Sequence, residues 1–251
     1  MLKSERRDSV SDKFIFERVE KKYRISRDTY TALIERISDK ILPDEHGNYT
    51  ICSLYLDTPD FLLIRNSMEA KAYKEKLRIR CYGIPNKDSR IFFEIKKKLC
   101  GVVYKRRVPM TLAEAEEYLQ SGTPPSDSQI MREIDYSMRR YNLPAPQVCV
   151  IYERDAFYLK ENSDIRITFD TNARYRYGFP DENSASVENY ILGGDEGILE
   201  IKTFGAMPVW LSHTLSELSI FPSPFSKYAH AYRNIVSNNQ ISEMKGNSLY
   251  V

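Results

Sequence analysis

Glu20/Lys22, Glu94/Lys96 and Glu200/Lys202 share the spacing Glu-x-Lys. On a β-strand, residues i and i+2 point to the same face, so each pair would set a carboxylate beside an ammonium group. The same spacing joins Arg18 to Glu20, Arg78 to Arg80 around Ile79, Lys96 to Lys98, and Lys105 to Arg107. Arg154 beside Ala156, and Arg166 between Ile165 and Ile167, add single guanidinium groups in the same setting. Together these positions hold eleven basic and three acidic side chains, in a chain whose net charge is only +2. Arginine forks can bridge two phosphate oxygens, lysines supply point charge, and carboxylates can hold a divalent cation. Phosphoryl transfer asks mainly for this alignment and charge neutralisation, not for a protein nucleophile. None is offered elsewhere: His46, His213 and His230 are scattered, and no Ser–His–Asp spacing, P-loop or Gly-rich phosphate loop is present.

The elements that would position these groups are mostly strands. Segments rich in Ile, Val, Tyr and Phe predict strands near 13–25, 49–56, 75–84, 90–99, 102–109, 147–159, 164–171, 173–178 and 197–203. Short connections between them, such as Gly83 to Arg90 and Lys98 to Gly101, imply antiparallel pairing. Helices punctuate the strands. Ser26 can cap one carrying Tyr30, Leu33, Ile34, Ile37 and Ile41, and Thr111 to Glu114 is a capping box for another that ends near Gly122. A third covers about 126–141, a fourth 208–220, and Ser223-Pro224 opens a fifth, with Pro at the first helical position.

Alternation of charged and apolar residues is also what a half-exposed antiparallel strand shows, with its charges in solvent. Recurrence on seven strands, with apolar opposite faces suited to amphipathic helices, instead fits a barrel with helices outside and a charged, wet interior. Cations confined there would repel one another, and three glutamates offset only part of that. A polyanion, with a divalent cation on the glutamates, completes the balance.

The residues that carry this pattern resemble the triphosphate tunnel metalloenzyme, or CYTH-like, superfamily, whose first strand carries Glu-x-Glu-x-Lys. Here that strand reads Arg18-Val19-Glu20-Lys21-Lys22, with Arg in place of the first Glu. That departure fits the polyphosphate-polymerase branch, the VTC domain, better than the plain triphosphatases, adenylate cyclases and thiamine-triphosphatases. The resemblance runs from about Phe14 to Tyr232. Its most specific pieces are Tyr152-Glu153-Arg154-Asp155-Ala156-Phe157, Ile165 to Thr171, Leu199-Glu200-Ile201-Lys202 and Phe225-Ser226-Lys227-Tyr228.

The resemblance implies an α+β fold, a closed antiparallel β-barrel forming a triphosphate tunnel, with amphipathic helices outside and across its end. It implies that Lys22, Arg78, Arg80, Lys96, Lys105, Arg154, Arg166 and Lys202 hold the nucleotide triphosphate and the growing chain. Arg18, Lys98 and Arg107 extend the phosphate-binding set along the same ladder. Glu200 is implied as the ligand of Mn²⁺ or Mg²⁺, with Glu20 and Glu94 as further metal candidates, and Lys227 as a phosphate contact from a closing helix. The activity implied is transfer of the γ-phosphate of ATP, or another nucleotide triphosphate, to inorganic polyphosphate. A hydrolase of the same fold and a non-catalytic polyphosphate-binding module remain alternatives.

The bulk composition limits the classes further. At 251 residues with 42% hydrophobic and 29% charged content, the chain can form one large domain. We expect a mobile segment at 1–12, a single domain at 13–237 and a polar tail at 238–251. Low net charge argues against nucleic acid as a partner. Cys52, Cys81, Cys100 and Cys149 form no CxxC pair and are read as reduced thiols. No secretory leader and no membrane-spanning run is visible, so a cytoplasmic location is expected.

Overall fold

The structure, a computed structural model, describes residues 18–70, 72–100, 102–179 and 188–237. The expected segments 1–12 and 238–251, and the first residues of the expected strand at 13–25, lie outside them. In chain order the elements are β1 (Arg18–Ser26), α1 (Arg27–Ile37), β2 (Ile41–Asp57), α2 (Leu62–Glu69), β3 (Tyr73–Tyr82), β4 (Arg90–Leu99) and β5 (Val102–Thr111). Then come α3 (Leu112–Ser121), α4 (Gln129–Arg140), β6 (Ala145–Leu159), β7 (Arg166–Arg176), β8 (Asn189–Tyr190), β9 (Glu196–Phe204), α5 (Val209–Glu217) and α6 (Lys227–Ser237).

All described strands join one antiparallel sheet in the order β1-β9-β7-β6-β2-β3-β4-β5, with β8 beside β7. The expected closed barrel is therefore corrected to a curled, open sheet: β1 and β5 are its two edges, and no described pairing joins them. Alternation sorts side chains between two faces but carries no information about which strands meet at a seam. The character of β5 explains why it remains an edge. It is exposed from Val103 through Arg107, with charge on both faces, and it carries Pro109, a residue confined to edges and bulges.

One face of the sheet is apolar and covered by helices. Leu33 and Ile37 of α1 and Leu211 and Leu215 of α5 pack with Leu199, Ile201 and Ile167 over β1, β9 and β7. Met131, Ile134 and Met138 of α4 and Tyr118 of α3 pack with Leu77, Ile79, Phe93 and Ile95 over β3 and β4. Full burial of such a side chain contributes about 1.5–3 kcal/mol, so these layers hold the curl in place. At one end α6 buries Tyr228, Ala229 and Ala231 against Tyr55, Val148, Val150 and Ile198, where the opposite, concave face turns apolar.

Local chemistry accounts for the boundaries. Ser26 caps α1 through the Thr29 N–H, and Thr111 and Glu114 form the expected capping box, with Gly122 in the left-handed region at φ 68°. Ile41, expected on α1, instead begins β2. The two strands expected at 164–171 and 173–178 are one strand, β7. Asn172 sits at φ 48°, and the pairing with β6 shifts register opposite it, which gives the appearance of a break. The fifth helix starts at Lys227 rather than at Ser223-Pro224. Residues 223–225 spend their backbone groups on β1: the Ser223 N–H donates to the Lys22 carbonyl at 2.7 Å, and the Phe225 carbonyl accepts from the Lys22 ammonium at 3.2 Å. Helix α2 carries no side-chain cap at Phe61. Asp57 supplies one from outside, accepting the N–H groups of Leu63 and Ile64 at 2.8 and 3.0 Å. The four cysteines are free thiols, with Cys100 exposed and the others buried. Among the described residues, no helix is long and apolar enough to cross a membrane.

Candidate functional site

Residues paired across an antiparallel ladder share a face, so the register alone places the charged positions. Across β1, β9, β7 and β6 the concave face reads Glu20, Lys202, Arg166 and Tyr158 in one row, then Lys22, Glu200, Thr168 and Ala156 in the next. Arg154 stands opposite Asp170 and Tyr49. Across β2, β3, β4 and β5 one row reads Ser53, Arg80, Phe92 and Pro109, and the next reads Tyr55, Arg78, Glu94 and Arg107. A third row sets Lys76 opposite Lys96 and Lys96 opposite Lys105, and beyond it Lys74 stands opposite Lys98.

The curl brings the two halves together. The Lys96 ammonium on β4 lies 3.6 Å from Glu20 on β1, although five strands separate β1 from β4 in the sheet. The segment before α6 spans the same space, because Lys22 reaches the Phe225 carbonyl and Lys76 donates to Ser226 Oγ at 3.0 Å. Ser226 also begins α6, accepting the Ala229 N–H on its hydroxyl and the His230 N–H on its carbonyl.

On the β1–β9–β7–β6 wall every described cation of the set has a carboxylate. Arg154 donates to both oxygens of buried Asp170 at 2.6 and 2.8 Å, and Lys227 pairs with the same carboxylate while its ammonium lies 4.3 Å from the centre of the Tyr152 ring. Arg166 donates to Asp44 at 2.8 Å, Lys202 pairs with Glu200, and Lys22 lies 3.3 Å from Glu20. The β3–β4–β5 wall is less balanced. Glu94, buried beneath it, takes Arg78 at 2.7 Å and Lys105 at 2.7 Å. Among the described residues Arg80 hydrogen-bonds only hydroxyls, Ser53 at 3.2 Å and Tyr152 at 3.5 Å. Arg107 packs 4.6 Å above the Phe92 ring, and Lys98 is exposed at the end of its row. The side chain of Arg18 lies outside the described residues.

Protonation reflects the surplus of cations. Burial would raise Glu94 and Asp170, yet Arg78, Arg80 and Lys105 hold the former at about 2, and Lys227 and Arg154 hold the latter at about 2. Burial would likewise raise Glu200, and Lys202, Lys22 and Arg154 hold it well below the usual carboxylate range. Among the bases, burial, then Lys22, Lys96 and Arg78, push Lys76 down to about 8. Tyr55, which burial would raise, is pulled down to about 8 by Arg78, Lys76 and Arg80. Lys22 and Arg78, which burial alone would lower, are instead raised, the first by Glu200 and Glu20 and the second by Tyr55 and Glu94.

The carboxylates bear on a divalent ion. Glu20 and Glu200 come from adjacent strands and are near enough to repel one another, while Glu94 lies on the other wall and is taken up by Arg78 and Lys105. Among the described residues no cluster of three or more His, Cys, Asp or Glu side chains could enclose a metal. The hydroxyl of Thr168, opposite Glu200 in the ladder, is buried without a hydrogen-bond partner. Two carboxylates and a free hydroxyl suit a hard cation that takes its other ligands from water and phosphate, as Mg²⁺ does.

Sequence reasoning missed Lys76, Tyr55, Asp170 and Asp44 on this face. Lys76 and Asp170 continue the i, i+2 series of Arg78 and Arg166, so the same alternation carries them. Tyr55 carries no charge in the series, and Asp44 lies in the part of β2 ahead of the expected strand.

A family model, the VTC domain, matches residues 17–236. No curated protein matches the chain. Among solved structures, a candidate adenylate cyclase from Bacillus halodurans aligns at 17% identity and a TM-score of 0.51, covering 84% of this chain and 94% of that one. A candidate adenylyl cyclase from Hippeastrum, with a dominant triphosphatase activity, aligns at 19% identity and a TM-score of 0.52, covering 85% and 93%. At such identities the likeness is one of fold.

Proposed function

Since the chain belongs to the VTC domain family, we propose that it is a polyphosphate polymerase acting on its concave cationic face. In the reaction, an oxygen of a terminal phosphate attacks the γ-phosphorus of ATP, the bond to the β-phosphate oxygen breaks, and ADP leaves. The chain that accepted the phosphoryl group is longer by one unit.

The observation that carries this reading is the length of the cation ladder. From Lys74 to Arg80 the concave face of β3 spans seven residues, about 20 Å of strand. That is longer than three phosphates laid end to end, and neighbouring strands carry cations along the same stretch. Arg78, Arg80, Arg154 and Arg166 supply forks that orient non-bridging oxygens, while Lys22, Lys96, Lys105 and Lys202 neutralise charge. Lys227, at the first turn of α6, adds an ammonium group to a helix start whose N–H groups already favour anions. Glu200 and Glu20 would hold Mn²⁺ or Mg²⁺, an ion that would supply Lewis-acid stabilisation of developing negative charge. Nothing in this chemistry needs a protein nucleophile.

A second reading, hydrolysis of tripolyphosphate or a nucleoside triphosphate, draws on the fold likeness to the Hippeastrum protein. Incubation with ATP and Mn²⁺ or Mg²⁺, with separate assays for polyphosphate, ADP and free phosphate, decides between them. The polymerase yields ADP in step with acid-labile polyphosphate. ADP in step with free phosphate alone makes it a hydrolase, and a polyphosphate complex without turnover makes it a binding module.

A further inference from the structure

Lys76 has no described carboxylate partner on a wall where its neighbours do. It stands directly opposite Lys96, which stands directly opposite Lys105, so three ammonium groups form one lateral row across β3, β4 and β5. Like charges at directly opposed positions destabilise a sheet. Glu20 relieves Lys96 at 3.6 Å and Glu94 relieves Lys105 at 2.7 Å. Among the described residues Lys76 has only the Ser226 hydroxyl as hydrogen-bond partner, at 3.0 Å. The groups that act on it most strongly are Tyr55 from β2, Lys22 from β1, Lys96 from β4 and Arg78 from its own strand, and no carboxylate is among these.

We infer that Lys76 is the centre of a phosphate subsite built against the stability of the ligand-free protein: Lys96 and Lys105 have Glu20 and Glu94, and Lys76 is the member of the row left for a polyanion to discharge. This deepens the reading of the concave face as a polyphosphate site and rests on it. Placing Lys76 beside Ser226 sets the subsite directly under the start of α6, where Lys22 also reaches Phe225. The alternative is that Lys76 serves only to tie α6 to the sheet through that hydroxyl. The two roles predict opposite signs for ligand-free stability, because a tie that is cut weakens the fold and a repulsion that is removed strengthens it.

The test uses the full chain, with sodium tripolyphosphate as the probe and no divalent metal, read by titration calorimetry and by thermal melting with and without the probe. Lys76→Met is expected to bind tripolyphosphate about tenfold or more weakly, the effect of losing one charge-assisted contact. Without the probe it is expected to melt about 2–4 °C higher than the wild type. Lys76→Arg, which keeps the charge, should restore both values toward the wild type. Lys76→Met that binds as the wild type does, or that melts lower or fails to fold without the probe, overturns the subsite and leaves the tie. If the wild type itself does not bind tripolyphosphate, the polyanion reading of the whole face falls with it.

Discussion

The two walls of the concave face solve the same electrostatic problem differently. On β1, β9, β7 and β6, cations come with carboxylates: Arg154 and Lys227 share Asp170, Arg166 has Asp44, and Lys202 has Glu200. Geometry there is fixed before any ligand arrives, at the loss of some net charge. On β3, β4 and β5, Glu94 serves Arg78 and Lys105 and Glu20 reaches over to Lys96, while Lys76 and Arg80 have hydroxyls and no described carboxylate. A preorganised wall suits the reacting phosphates, where small displacements matter most. If the chain is the proposed polymerase, a charge-rich wall suits a long product that must be gripped at many points and still slide.

That contrast breaks most easily at Glu200. Glu200→Gln should lower turnover by roughly a hundredfold or more, since divalent-ion stabilisation is worth several kcal/mol. Metal-free binding of tripolyphosphate should hold or tighten, because a negative charge has left the face. Unchanged turnover at saturating Mn²⁺ would take the metal away from the paired wall. Next in size is Lys227→Ala. The sequence alone suggests a lysine that can be removed without harm to the fold, but its pairing with buried Asp170 predicts otherwise. Both ligand affinity and ligand-free stability should fall, each by about 1–3 kcal/mol, in calorimetry and chemical denaturation.

Smaller effects separate the walls by pH. Lys76 loses its proton near pH 8 in the folded chain and near 10.4 in the unfolded one, so between those values the unfolded state binds more protons. Stability contributed by this residue therefore rises with pH across the window. The gain expected for Lys76→Met should be largest below about pH 8 and absent above about 10.5, as melting curves of variant and wild type across that range will show. Asp170 runs the other way. Its folded value, about 2, lies below the unfolded value of about 3.9, so its contribution is present above pH 4 and lost as pH falls toward 2. Asp170→Asn should flatten that acid limb of the stability profile. The smallest effect is expected at Arg107, exposed on the edge strand over Phe92. Arg107→Ala should weaken polyphosphate binding by less than about threefold, with the difference vanishing at high salt.

Much of this face was legible in the sequence because alternation on a strand is a local property. Glu20 and Lys22, Arg78 and Arg80, Lys96 and Lys98, and Glu200 and Lys202 each share a face once their segments are read as strands, and the register sets these faces side by side. What depends on remote pairing was not legible. The open seam between β1 and β5 depends on edges that alternation does not describe. Helix α2 went unread because its cap, Asp57, lies outside the helix and reaches it through space. The start of α6 was misplaced because Pro224, a good first helical residue, belongs to a segment whose backbone is drawn into β1. Lys227 could be read as a phosphate contact, but its bond to Asp170 joins residues far apart in the chain.

The pairing of β1 with β9 also bears on how the protein comes into being. Glu20 and Lys22 are among the first described residues, and their partners Lys202 and Glu200 lie in β9, the last described strand. Contacts so distant in the chain form slowly, because closing the loop must precede any gain from the contact. During synthesis β2 to β5 can pair as soon as they emerge, whereas β1 waits for β9. A nascent or truncated chain thus presents the lysine-rich strands without Glu200 opposite them, able to attract a polyanion but not to align it with a metal. On the proposed reading of the concave face, competence to react is acquired only once β9 has paired with β1.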